Sequence, residues 1–131
     1  MGNEHVIPEL FKKFKNTKSN KSLKIQGTGN ETRSFIHISD FCEAFYLLIK
    51  KGKHLNIYNI GTQERVKIIS ILRNLENIAS KKIKIIKGPL QAGGTKHRCP
   101  NISKIKKLGF RPKVSLKNGL NEIFLMNYKK R

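Results

Sequence analysis

Apolar residues recur at helical spacing in several stretches of the chain. Ile7, Leu10, Phe11 and Phe14 share one face of a helix, with Lys12, Lys13 and Lys15 opposite. Pro8 suits its first turn. Phe41, Ala44, Phe45 and Leu48 mark the buried stripe of a helix from Phe41 to about Lys51, which Gly52 stops. Ile68, Ile71, Leu72, Leu75 and Ala79 give a third, long helix. Ser103 to Leu108 reads as a short helix stopped by Gly109. Ser115 caps a last helix that carries Leu116, Leu120, Ile123 and Phe124. Between these lie short candidates for strands: Leu23 to Gln26, Ser34 to Ile38, Asn56 to Ile60 and Ile83 to Ile86. Asn16 to Ser22 is a polar loop, and Gly93-Gly94 lies in a long basic one. Strands alternating with helices give an α/β or α+β class, with no internal repeat.

The densest stretch runs from Gly27 to Phe45, a turn, a strand and a helix in sequence. Gly27 and Gly29 supply a tight loop. Arg33 stands beside that loop at the mouth of the strand. Asp40 is placed to cap the next helix, and Glu43 three residues on completes a capping-box-like pattern.

Composition adds limits. The 131 residues are one domain's worth, and 37% apolar with 27% charged residues fits a soluble globular protein. No apolar run approaches the ~20 residues of a membrane helix. The start MGNEHVIP has neither the basic nor the apolar region of a secretion signal. Cys42 and Cys99 lack the spacing of a zinc site or a disulfide framework, so both are expected to be reduced thiols in a cytoplasmic protein. The net charge of +20 has two readings. One is a polyanion partner, nucleic acid or an anionic surface. The other is lysine written at neutral surface positions by an AT-rich genome, because the lysines are scattered rather than run together.

Four motifs occur in a family's order and spacing: VIP at Val6 to Pro8, R-x-F-I-H-I-x-D from Arg33 to Asp40, YNIG at Tyr58 to Gly61, and NISKIKKLGFRPKVSLKNGL from Asn101 to Leu120. Together they resemble the C-terminal part of the extended short-chain dehydrogenase/reductases, the NAD-dependent nucleotide-sugar epimerases and dehydratases. The resemblance implies an α/β, Rossmann-type architecture of short strands and about four to five helices, without the N-terminal dinucleotide-binding half. Residues 1–131 would form a single partial domain on the substrate side.

What the resemblance implies for chemistry follows residue by residue. Arg33 matches the arginine that meets the substrate diphosphate. His5, Val6 and Ile7 match the start of a helix whose free N–H groups face a phosphate. Lys24, Ile25 and Gln26 match a strand whose backbone meets the base, and Phe35 an aromatic beside the nucleotide. Relatives carry an arginine before Pro-Gly near Gln91 and Ala92, which is missing here, so Arg98, Lys96 or Lys87 would have to supply the second cation. Asn101 stands where the family has Asp, a change that concerns the cap of the helix from Ser103.

No catalytic residue is assigned. The chain has no G-x-G-x-x-G followed by a helix, so it is expected to bind no cofactor alone, although NAD is implied for the whole family. Tyr46 and Lys50 have the Tyr-x-x-x-Lys spacing, but they share a polar helix face with Glu43, and the family's reacting pair lies before VIP. His37 reads as structural, and no metal ligand set is present.

The leading expectation is thus a nucleotide-sugar-binding portion of an epimerase/dehydratase, with an ancestral role in polysaccharide precursors and inactive alone. Its partners would be a nucleoside-diphosphate sugar and a separate N-terminal Rossmann lobe or a second copy. Without such a partner the helix after Asp40 and the YNIG strand are left bare. The alternatives are a small basic nucleic-acid or polyanion-binding protein, and a decayed gene product.

Overall fold

The computed structural model describes residues 5–90 and 93–128. In chain order the elements are α1 (Val6–Asn16), β1 (Ser22–Lys24), β2 (Thr32–Arg33), α2 (Ile38–Lys51), β3 (Val66–Lys67), α3 (Ile68–Ala79), β4 (Lys84–Ile86), α4 (Ser103–Lys107) and α5 (Leu116–Tyr128). This is the expected mixed α/β class, with five helices and few short strands. The chain forms two compact units, Met1–Arg33 with Val66–His97, and Ser34–Arg65 with Arg98–Arg131.

In the first unit α1 packs on α3 through the stripes expected from their spacing. Leu10, Phe11 and Phe14 are buried on α1, and Ile68, Ile71, Leu72 and Leu75 on α3. Leu23, Ile25, Val66 and Ile83 complete the set of buried apolar residues. Strand β1 runs parallel to β4, pairing Ser22 with Lys84, Leu23 with Ile85 and Lys24 with Ile86. Strand β2 runs antiparallel to β3, pairing Thr32 with Lys67 and Arg33 with Val66.

Glu76 and Lys81 tie the helices of this unit to the segments beside them. The Glu76 carboxylate accepts the Ile83 N–H at 2.8 Å and a guanidinium N–H of Arg73 at 2.7 Å, tying the end of α3 to the approach of β4. Burial alone would raise its pKa, but the Arg73 and Ile83 hydrogen bonds and the charges of Arg73 and Lys82 outweigh it and hold it low. Lys81 donates from Nζ to the Phe14 carbonyl at 2.6 Å and lies 4.6 Å from the Phe14 ring, closing the end of α1.

In the second unit the core is Ala44, Ile102, Ile105 and Phe110, with Ile36, Leu47, Leu48, Tyr58 and Ile60 packed against it. Three expectations change here. Helix α2 starts at Ile38, with His37 as its N-cap: the Ser39 N–H donates to His37 Nδ1 at 3.3 Å. Asp40 is therefore inside the first turn, and its carboxylate accepts the N–H groups of Lys113 and Val114 instead. Glu43 takes the Lys113 ammonium at 2.7 Å rather than closing a capping box.

Second, residues 34–37 and 56–60 are not strands: no neighbouring strand pairs with them among the described residues. Third, the stripe of α2 is not the buried one expected. Ala44 is buried, whereas Phe41 and Phe45 stack on each other at 6.5 Å while 41% and 55% exposed. The remaining helices follow the sequence. The Asn118 N–H donates to Ser115 Oγ at 3.2 Å to cap α5, and the Ser103 N–H donates to Asn101 Oδ1 at 2.9 Å at the start of α4.

Candidate functional site

Two of the expected site residues, Lys24 and Gln26, lie on β1 and just after it, where a glycine loop follows. That loop is closed on its own carboxylate. Glu31 accepts the Thr28 N–H at 3.0 Å, the Thr28 hydroxyl at 3.0 Å and the Gly29 N–H at 2.9 Å. Burial would raise the Glu31 pKa, but these bonds and its own N–H prevail and lower it. Gly27 and Gly29 have φ of +72° and +83°, and a Cβ on Gly27 would stand 2.8 Å from the Glu31 carboxylate.

This geometry bears on the dinucleotide implied by the family. A pyrophosphate needs free amides in a glycine turn that opens a helix. Here the amides of Thr28 and Gly29 are taken by Glu31, and the turn leads into β2, a strand. The glycine loop therefore does not fit NAD.

On the other side of the loop the chain forms an open groove. Parallel pairing aims alternate residues of β1 at β4: the Lys84 N–H donates to the Lys21 carbonyl, and the Ile25 N–H to the Ile86 carbonyl, each at 2.9 Å. The backbone of Ser22, Lys24 and Gln26 thus faces away from β4, on an edge that no strand covers among the described residues. Beside β1 lies a cavity of about 530 Å³ lined by Lys13, Lys24, Ile25, Gln26, Pro89 and Leu90. A second cavity, of about 550 Å³, shares Lys13 and Lys24 and adds Glu9, Lys12, Asn16, Thr17, Ser22 and Leu23. Gly27 fixes the end of the groove, donating from its N–H to the Pro89 carbonyl at 2.9 Å and accepting from the Gly88 N–H at 3.0 Å.

Lys24 and Gln26, neighbours in sequence, line the first cavity with Lys13 of α1. Val6, Ile7 and His5 lie at the start of α1, where the His5 side chain makes no capping bond. Arg33 sits half-buried on β2 and donates from Nη1 to the Thr32 carbonyl at 2.9 Å. The basic loop returns beside that strand: the Thr32 N–H donates to the Lys96 carbonyl, and Thr32 Oγ1 lies 3.0 Å from His97 Nδ1. Phe35 and Arg98 belong to the other unit. The missing Pro-Gly arginine falls at Gln91 and Ala92, outside the described residues.

Sequence reasoning missed Lys13, Glu9, Pro89 and Leu90. Lys13 was legible only as a polar-face lysine of α1; that β1 returns alongside it is a tertiary fact. Tyr46 and Lys50 are held together differently from a reacting pair, the ammonium lying over the phenol ring at 4.5 Å on an exposed helix face. Cys42 and Cys99 are free thiols. No group of three or more metal-ligating side chains occurs among the described residues, and no described helix is long and apolar enough to cross a membrane.

A family model, the NAD dependent epimerase/dehydratase family, matches residues 1–61. Probable GDP-L-fucose synthase 1 of Oryza sativa subsp. japonica is 29% identical over 124 residues, 93% of this chain and 38% of the relative. The chain belongs to the NAD-dependent epimerase/dehydratase family. Its residues correspond to the C-terminal part of such proteins. The dTDP-D-glucose 4,6-dehydratase of Bos taurus is 33% identical over 126 residues, 91% of this chain and 35% of the relative. Among solved structures, UDP-glucuronic acid 4-epimerase from Bacillus cereus, in complex with UDP-glucuronic acid and NAD, superposes with a TM-score of 0.81 at 27% identity. It covers 96% of this chain and 41% of that one. The chain thus spans about two fifths of the length of the family members it matches.

Proposed function

We propose that this chain binds a nucleoside-diphosphate sugar, as the substrate-binding part of an NAD-dependent sugar epimerase or dehydratase acting in the cytoplasm. The observation that carries the proposal is the cavity beside β1, which Lys24 and Gln26 line together with Lys13 of α1. An unpaired strand edge offers amide N–H and carbonyl groups to the edge of a base, and the flanking ammonium groups favour an anionic ligand. Arg33, with a fixed guanidinium and the basic loop beside its strand, is suited to the diphosphate; a charge-assisted bond of that kind contributes about 1.5–3 kcal/mol. The uncapped start of α1, with the amides of Val6 and Ile7, is a second anion-directed group.

In this reading the residues present bind and orient the sugar nucleotide. NAD, when held by the remainder of a family member's fold, supplies hydride transfer at a sugar carbon. The glycine loop, closed on Glu31, takes no part in that.

Calorimetry tests the proposal, with UDP-, GDP- and dTDP-sugars set against duplex and single-stranded DNA at two salt concentrations. Binding of a sugar nucleotide that Arg33→Ala abolishes is the expected outcome. Micromolar DNA binding with a steep salt slope and no sugar-nucleotide response would overturn it in favour of a polyanion binder.

A further inference from the structure

We infer that two copies of this chain associate through the exposed face of α2, packed antiparallel about a two-fold axis near Glu43 and Ala44. The inner side of α2 places Ala44 in the core of its unit. The outer side carries Ile38, Phe41, Cys42, Phe45, Tyr46 and Ile49, all exposed. On a helix these six share one arc of about 140°. No charged residue of α2 falls within that arc.

A two-fold contact uses one surface twice, so the stripe has to match its own reverse. This one does. Reversal about its midpoint sets Ile38 on the partner's Ile49, Phe41 on the partner's Tyr46 and Cys42 on the partner's Phe45. Size matches as well as position. Isoleucine closes both ends, aromatic rings meet next, and the small Cys42 leaves the space that a phenylalanine fills. Phe41 and Phe45 already stack at 6.5 Å in the single copy, so the aromatic block needs little further ordering. Lys50 lies over Tyr46 at 4.5 Å, at the rim of the stripe.

Charge sets the direction. The last turn of α2 carries Lys50 and Lys51. The first turns carry Glu43, and Glu122 of α5 lies 3.1 Å from His37 at the N-cap. Both carboxylate side chains are 49% exposed and open to a further cation. Antiparallel packing puts the basic end of each α2 beside the acidic end of the other, with the helix dipoles opposed. Parallel packing would set Lys50 and Lys51 beside the same two lysines of the second copy. A 14-residue helix is about 21 Å long, so the contact lies at the low end of specific interfaces. The dimer is therefore weak, with a Kd on the order of 10–100 µM.

Sedimentation equilibrium of the 131-residue chain tests this, at about 0.3 M salt so that the net charge of +20 on each copy is screened. A monomer–dimer equilibrium is expected. Ile38→Lys and Ile49→Glu each set a charge against an isoleucine of the second copy, and each should weaken the dimer at least ~10-fold. Combined in one chain, the new ammonium of each copy faces the new carboxylate of the other, and association should return. The two positions lie about three turns apart, so the rescue does not arise within one helix. Both are exposed, and circular dichroism checks that the variants stay folded. A second measurement leaves α2 unaltered: in the Cys99→Ser chain a short bis-maleimide should join two copies through Cys42. A monomer at every concentration, association that survives Ile38→Lys, single variants that the combination does not rescue, or no cross-link through Cys42 each overturns the inference.

Discussion

The Asp40 carboxylate accepts the Val114 N–H at 3.0 Å, joining the first turn of α2 to the segment before α5 across 74 positions of sequence. The Lys113 N–H donates to the same oxygen at 3.1 Å, and the Lys113 ammonium reaches Glu43 one turn further along α2. Asp40 is 2% exposed, so it depends on these two amides to replace water. Asp40→Ala leaves both N–H groups without their acceptor. The expected loss in urea unfolding is about 2–4 kcal/mol, against under ~1 kcal/mol for Glu43→Ala, whose ion pair is exposed. Equal losses would show that Asp40 acts as a surface charge.

Glu31 and Glu76 are expected to make the first unit less stable in acid. Both have pKa values held below the ordinary 4.5 in the folded chain. The sign follows from that: the unfolded chain takes up protons at a higher pH than the folded one. Their contribution is fully present above pH 4.5 and is lost as pH falls through the lower folded values. Glu31→Gln with Glu76→Gln should flatten the acid limb of stability against pH, at lower stability near neutrality. An unchanged acid limb, followed by circular dichroism, would remove both carboxylates from this role.

How much of this could be read beforehand follows the range of the interactions. The glycine loop, the stripes of α1 and α3, and the Ser115 and Asn101 caps are made within a few residues, and the sequence pattern gives them directly. The local pattern at Asp40 allows a helix cap, but its partners are Lys113 and Val114, which no local rule finds. The same holds for residues 34–37 and 56–60, which the pattern predicts as strands and which pair with none among the described residues. A local pattern can suggest a strand, but a strand also needs a neighbour to pair with. The groove combines both cases: Lys24 and Gln26 came from one strand motif, whereas Lys13 joins them only through folding.

Helix α2 carries an exposed apolar stripe: Ile38, Phe41, Phe45 and Ile49 are 66%, 41%, 55% and 68% exposed. A stripe of that kind promotes association without contributing much to the folded core. Phe45→Glu is expected to raise solubility and reduce binding of an apolar dye, with stability changed by less than ~1 kcal/mol. A large loss of stability would mean that Phe45 is a core residue after all.

Gly27 and Glu31 provide the sharpest test of the loop. Gly27→Ala combines two costs, a positive φ that L residues resist and a Cβ placed 2.8 Å from the Glu31 carboxylate. Together they should cost about 1–3 kcal/mol. The two costs separate in a double-mutant cycle. Glu31→Ala removes the carboxylate that the new methyl group meets, so the steric part disappears while the backbone part stays. The double variant should therefore lose less stability than the two single variants added together, by an amount equal to the clash. Strict additivity would mean that the carboxylate keeps its bonds with the methyl group present, and that Gly27 is required for its backbone angle alone.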